Sequence, residues 1–137
     1  MTAQELYKVR ELRNKILALT RHLESLRMSA SNLVPVLDGM PHARNATSRV
    51  EKISLNIIEN EKELATLREE FDAEAAKLAD KIKAAPLKPQ EREILILRYV
   101  ACERFRDISF QTGYSDAHVF YLHRSAVDKI LPAEDLS

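Results

Sequence analysis

The sequence predicts an all-α protein in which a long antiparallel helical hairpin precedes a small three-helix helix-turn-helix head. Only two of the 137 residues are glycine, charged residues make up 31% of the chain, and aromatic residues make up 6%. This composition is typical of long helices and coiled coils. Apolar residues also recur at steps of three and four along most of the chain, which is the period of a helix and not of a strand.

The first element is predicted to be a helix from about Ala3 to Met28. Its apolar residues form a seam of the kind that packs along a second helix. The seam consists of Leu6, Val9, Leu12, Ile16, Leu19, Leu23 and Leu26.

A second seam predicts a helix of about forty residues that ends before Pro86. It runs from Val50 through Ile53, Ile57, Leu64, Leu67, Phe71 and Leu78 to Ile82. At a rise of about 1.5 Å per residue this helix is about 60 Å long and the first only about 40 Å, so part of it overhangs. The overhang needs another surface, most simply a second copy of the chain or the C-terminal head. We therefore expect a homo-oligomer that forms through this helical arm.

Asn60 interrupts the second seam between Ile57 and Leu64. A polar residue at such a position costs stability but fixes the register and the number of partner helices. The alternative is that the apolar stripe drifts onto Ile58 and Glu61, so that Asn60 has no such role.

An irregular loop is predicted at about 29–47, because Pro35, Gly39 and Pro41 all break helices. The loop is also rich in apolar residues, which has two interpretations: either it binds a partner, or it covers the open end of the hairpin. Thr47 or Ser48, followed by Glu51, gives a capping signal for the start of the second helix.

Two prolines mark a boundary between an arm at residues 1–85 and a head at residues 86–137. Pro86 ends the second helix, and Pro89 suits the first turn of a new one. Glu91 and Glu93 then lie where the helix dipole favours acidic side chains. A head of about 45 residues is near the lower limit for folding alone, so we expect support from the arm or from dimerisation.

The stretch "DISFQTGYSDAHV" has the residues that a tight corner between two helices needs. Ile108 and Val119 are predicted to be the buried contacts from the two helices. Gly113 permits the left-handed turn that ends the first helix, and Ser115 caps the second. Further inward positions are Phe105, Ser109, Leu122, Ala126 and Ile130.

From Gln90 to Ile130 the sequence resembles region four of bacterial sigma factors, the helix-turn-helix that reads a promoter element. It is more similar still to small phage and prophage transcriptional regulators of the ArpU type, which join such a head to a helical N-terminal arm. Two positions depart from this pattern: Thr112 replaces a usual leucine, and Arg104 replaces a common serine or threonine cap. The resemblance implies a sequence-specific transcriptional regulator that binds double-stranded DNA.

The resemblance also implies which side chains meet the bases, namely those that face outward near the start of the second helix. Asp116 suits a cytosine amino group, Ala117 and Phe120 suit a thymine methyl group, and Tyr121 suits a phosphate or a base. His118 belongs to the same candidate set, although a role in packing or at the surface is the simpler interpretation.

Three arginines are the candidate phosphate clamp: Arg124, together with Arg104 and Arg106 at the start of the preceding helix. Three charges are few, so we expect one head to bind DNA weakly and two heads on an oligomeric arm to bind usefully. Asp116 has an alternative role in satisfying the helix N-terminus. Phe120 and Tyr121 alternatively pack on the arm or on a protein partner.

Other classes of function find little support in the sequence. Basic and acidic residues are equal at 21 each, so no net field draws the whole chain to nucleic acid or membrane. The single cysteine, Cys102, excludes an intramolecular disulfide and fits a reducing cytoplasm. There is no phosphate loop, metal-ligand spacing or nucleophile with a base, so we expect neither an enzyme nor a cofactor. No apolar run of about 18 residues predicts a membrane span.

Two alternatives to the regulator remain. The first is a protein-interaction module whose head contacts RNA polymerase or another regulator through Phe120 and Tyr121. The second is a DNA-packaging protein like a small terminase subunit, since those proteins also pair a DNA-binding head with helical oligomerisation.

Overall fold

A computed structural model of the chain describes residues 1–33 and 43–132, apart from the side chains of residues 33 and 43–47. Within these ranges every regular element is a helix, and the all-α prediction is confirmed. The elements are α1 (Ala3–Leu33), α2 (Ala43–Ala84), α3 (Pro89–Leu95), a π-helical turn (Ile96–Val100), α4 (Phe105–Thr112) and α5 (Asp116–Ile130).

The predicted loop at 29–47 is wrong at its first end. Helix α1 continues to Leu33 instead of stopping near Met28. The added segment contains no glycine or proline, and the first helix breaker of the loop is Pro35. Residues 34–42, on which the two interpretations of the loop depend, lie outside the described residues.

The loop prediction is also wrong at its second end, because α2 begins at Ala43. The capping signal of Thr47 or Ser48 with Glu51 therefore does not mark the start of this helix. The segment from 43 to 48 carries two alanines and no breaker, so helix propensity is sufficient to continue the helix past the signal.

The chain forms two compact units, one from Met1–Arg13 with Glu70–Ser137 and the other from Asn14–Glu69. In the second unit α1 and α2 run antiparallel, and Leu23 and Leu64 are buried. The Arg27 guanidinium lies 2.8 Å from the Glu61 carboxylate. Asn60 is half-buried, and its amide donates to the Asn56 carbonyl at 2.8 Å within its own helix.

The first unit has a hydrophobic core that joins the ends of both long helices to the head. Ile82 of α2 and Leu95 of α3 are fully buried, as are Leu6 and Val9 of α1. The whole cluster contains Leu6, Val9, Leu78, Ile82, Leu87, Leu95, Tyr99, Cys102 and Ala126. Side chains on both sides of Pro86 thus share one core, and the predicted domain boundary there stays a prediction. The arm supports the head, as its small size requires.

A smaller cluster lies inside the head, between α3, α4 and α5. It consists of Ile94, Ile108, Val119 and Leu122, with Leu97, Phe105 and Tyr114 packed against it. Ile108 and Val119 have no exposed surface, so their predicted role as buried contacts is confirmed. Ala126 is also fully buried, whereas Ile130 is half-buried at the edge of the larger core.

The corner between α4 and α5 is built as the sequence predicts. Gly113 is left-handed, with φ of 77°, and its N–H donates to the Ser109 carbonyl at 3.0 Å. Ser115 caps α5, because its hydroxyl accepts from the His118 N–H at 3.1 Å. The Thr112 hydroxyl donates to the Ile108 carbonyl at 2.7 Å, so this departure from the expected leucine leaves no polar group unsatisfied.

Glu91 ties the start of α3 to the last turns of α5. Its side chain is only 1% exposed, and its carboxylate accepts from the Lys88 N–H, the Ser125 hydroxyl and the Lys129 ammonium at 2.9, 2.6 and 2.7 Å. Burial raises the pKa of Glu91, but these three donors outweigh it and lower the pKa to about 2. The sequence predicts a favourable dipole position here but not this buried interaction.

Acid is expected to remove the stabilisation that Glu91 supplies. Its pKa falls from 4.5 to about 2 on folding, so the stabilisation is complete above about pH 5 and is lost as the pH falls toward 2. Glu91→Gln removes the charge and is expected to lower the free energy of unfolding at pH 7 by about 2 kcal/mol. Urea unfolding between pH 7 and pH 3 measures both effects. Glu93→Gln, an exposed position in the same helix, is the matched control. Equal pH dependence in both variants contradicts the assignment.

Gly113→Ala is expected to destabilise the protein by about 1 kcal/mol, because a side chain disfavours the left-handed backbone. An added Cβ meets no atom within 4 Å, so the cost is conformational and not steric. Gly113→Asn is expected to cost less, since asparagine tolerates this conformation better. Urea unfolding at pH 7 gives the comparison, and an alanine variant as stable as the parent disproves the expectation.

Candidate nucleic-acid interface

The first half of α5 presents a continuous solvent-exposed face. Val119 and Leu122 point into the core, and the side chains between and before them are open to solvent. All six candidate residues of this helix are exposed: Asp116, Ala117, His118, Phe120, Tyr121 and Arg124. The rotation of α5 about its axis therefore leaves these residues accessible to a ligand.

His118 lies between two tyrosines on this face. The Tyr114 ring meets it edge-on at 5.2 Å, and the Tyr121 ring is nearly parallel to it at 6.3 Å. Such contacts restrict the rotamers of His118 and Tyr121 before anything binds. The N-terminal half of the helix thus carries a partly ordered row of rings.

Phe120 is packed on one side and open on the other. Its ring lies 4.9 Å from the ring of Phe105, yet 53% of its surface remains exposed. Phe105 in turn packs edge-on against His123 at 5.0 Å and is covered by the Arg98 guanidinium at 4.2 Å. Phe120 is therefore held by the head and still offers apolar surface outward.

His123 is a packing residue of α5, in ring contact with Tyr99 and Phe105. Burial, and then the charge of Arg98, lower the pKa of His123, so its ring is neutral at pH 7. Burial also raises the pKa of Tyr99 to about 12, which keeps the phenol protonated. Tyr99 Oη and His123 Nε2 are 2.6 Å apart and share a hydrogen bond.

The three arginines of the predicted clamp differ in their surroundings. Arg104 is exposed but lies 3.0 Å from the Asp107 carboxylate, which offsets part of its charge. Arg106 and Arg124 are exposed, and no carboxylate in the described part of the chain forms an ion pair with them. The pairing of Arg104 with a residue three positions on is a known helix pattern that sequence reasoning missed.

Asp116 occupies the first turn of α5, next to the serine that caps it. The hydrogen bond that closes the helix start comes from Ser115, and Asp116 remains exposed. A carboxylate at this place is stabilised by the helix dipole. The geometry is compatible with both of the roles expected for Asp116.

Phe110 is an exposed aromatic residue that sequence reasoning did not select. It is 90% exposed on α4, more than either Phe120 or Tyr121. The helical period contained the signal, because a residue two positions after the buried Ile108 points to the opposite side of the helix. A phenylalanine on the outward face of α4 adds exposed apolar surface to the head.

The described residues contain no group of three or more histidine, cysteine, aspartate or glutamate side chains arranged to hold a metal ion. Across residues 1–33 and 43–132, no helix combines the length and apolar character needed to cross a membrane.

No protein-family model, no curated protein and no solved structure gave a significant match to this chain.

Proposed function

We propose that the chain is a sequence-specific DNA-binding transcriptional regulator of phage origin that acts in the cytoplasm as a dimer or higher oligomer. The observation that carries the proposal is the exposed first half of α5, held by a glycine turn and a serine cap on the buried Ile108 and Val119. A helix presented in this way fits the major groove of B-DNA.

The outward side chains of α5 supply chemistry for reading base edges. Tyr121 has a hydroxyl that donates or accepts, Ala117 is small enough for close approach to a thymine methyl group, and Arg124 reaches a phosphate or guanine. The contacts of Tyr121 with His118 reduce the entropy that its ordering on DNA would cost. A helix with little positive charge can recognise base edges through a few preorganised side chains.

Affinity requires more than one head. With Arg104 partly neutralised by Asp107, the clamp has two unopposed charges, Arg106 and Arg124. Two phosphate contacts give a salt slope of only about −1.8, which is weak binding. A second copy joined through the arm doubles the contacts and converts the second binding step into an intramolecular one.

Phe110 favours a second candidate function, a protein-interaction module that contacts RNA polymerase. A fully exposed phenylalanine on α4 does not contribute to the core, and aromatic residues are enriched at the centres of protein interfaces. Phe120 and Tyr121 would extend the same contact. This candidate requires no affinity for DNA.

Arg106→Ala and Arg124→Ala are each expected to weaken DNA binding and to reduce the salt slope by about 0.9, the value of one lost phosphate contact. The probe is the duplex that the protein itself enriches from a random-sequence pool, with its Kd measured at several salt concentrations. The control is Arg49→Ala, which replaces an exposed arginine of α2, outside the head. It is expected to leave the Kd and the salt slope unchanged. Failure to enrich any duplex, or variants that bind like the control, would refute the proposal.

Phe110→Ser separates the two candidate functions. The second candidate predicts that the parent protein binds purified bacterial RNA polymerase and that the variant binds at least tenfold more weakly, as for an aromatic hot spot. Met28→Ser, which removes another exposed apolar side chain, is the control. Biolayer interferometry with immobilised polymerase measures the change. Absence of polymerase binding, or equal binding by both variants, argues against this candidate.

A further inference from the structure

The start of α1 brings arginines to the head. The ring of Tyr7 lies edge-on to that of Tyr99, with 6.0 Å between their centroids, and this contact fixes α1 against the π-helical turn. Arg10 and Arg13 follow Tyr7 at steps of three, along one ridge of the helix. Arg10 is half-buried and Arg13 is exposed. Both belong to the same compact unit as the head.

Arg98 of the π-helical turn completes this group. Its guanidinium covers the Phe105 ring at 4.2 Å, and its Nη1 donates to the Glu103 carbonyl at 3.0 Å, so its position is set. Burial, and after it the positive charge of Arg10, lower the pKa of Arg98. The two guanidiniums are both positively charged and therefore repel each other.

Cys102 provides a second indication that the three arginines converge. Burial raises the pKa of the Cys102 thiol, and the charges of Arg13, Arg10 and Arg98 act in the opposite direction. The charges of all three arginines therefore act on one buried sulfur. The Tyr7–Tyr99 contact independently places the ridge that carries Arg10 and Arg13 beside the turn that carries Arg98.

This group lacks a counter-charge among the residues that the structure describes. Other cations of the same unit, such as Lys8, Lys81 and Lys129, each lie within 3.3 Å of a carboxylate oxygen. None of the ion pairs in the described ranges includes Arg10, Arg13 or Arg98. Like charges held together without an acidic neighbour raise the energy of the fold unless an anion binds between them.

We propose that Arg10, Arg13 and Arg98 form a phosphate-binding site that takes a phosphodiester group of the DNA backbone. Guanidinium groups match phosphate oxygens in pairs of parallel hydrogen bonds, which a compact lysine charge does not reproduce. That the phosphate comes from DNA rests on the proposed function. The site itself rests on the three arginines and their missing counter-charge.

Ring contacts connect this site to α5. Arg98 covers Phe105, and Phe105 is 4.9 Å from Phe120 of α5. Phe105 is also the direct chain neighbour of Arg104 and Arg106, two arginines of the predicted clamp. One further phosphate contact added to those of Arg106 and Arg124 raises the expected salt slope of one head from about −1.8 to about −2.7.

The site is tested first with inorganic phosphate and no DNA. Phosphate is expected to raise the Tm of the parent protein by about 2–4 °C over potassium chloride of equal ionic strength, because it binds the folded state. Arg10→Gln is expected to lose this rise. In chloride the same variant is expected to be at least as stable as the parent, since a repulsion has been removed. Arg21→Gln, an exposed arginine further along α1, is the control that keeps the rise.

Two results overturn the site: a phosphate-induced rise that persists in Arg10→Gln, or a loss of stability of that variant in chloride. Arg13→Gln is the second variant, and it is also expected to reduce the rise.

Binding to duplex DNA then distinguishes the site from the proposed function. Arg10→Gln is expected to reduce the salt slope by about 0.9, whereas Arg21→Gln leaves it unchanged. A parent slope retained by Arg10→Gln overturns the site and leaves the DNA-binding function standing. A phosphate effect without any duplex binding keeps an anion site but overturns its assignment to the DNA backbone.

Discussion

The hydrophobic core that the head shares with the two long helices is the constraint on which the rest of the structure depends. Leu6 and Ile82, near the start of α1 and the end of α2, are buried with Leu95, Tyr99 and Ala126 of the head. The head's own cluster has only four buried side chains, too few for a stable fold. The exposed half of α5 is presented in one orientation because its other face, through Ala126, belongs to this core.

The sequence predicts most reliably those features that one residue supplies to its own backbone. Gly113 adopts the left-handed turn, and Ser115 caps α5. Both features depend only on residues a few positions away in the chain. Glu91 is different: its partners Ser125 and Lys129 lie 34 and 38 residues further on, and no local pattern reveals that pairing. The predicted ends of the loop are wrong because the sequence signals for helix ends are weak there. Both helices extend into the predicted loop, α1 to Leu33 and α2 back to Ala43.

Local charge placement matters more than net charge in this chain. Basic and acidic residues balance at 21 each, and several of them form ion pairs, as Lys81 of α2 does with Glu5 of α1 at 2.7 Å. Arg106 and Arg124 of the head have no ion-pair partner among the described residues, so their charges stay available to an anionic ligand. The aromatic side chains then serve two purposes: Phe105 positions Arg98, and Tyr121 remains outward with 67% of its surface exposed.

The central claim is that the first half of α5 contacts DNA, and a map of backbone amide chemical shifts tests it most directly. The isotopically labelled protein is titrated with the duplex that it enriches from a random pool. The account predicts that the largest shifts fall between Asp116 and Arg124, with smaller ones at Arg106. Shifts that avoid this segment, or a spectrum unchanged by any duplex, would contradict the account.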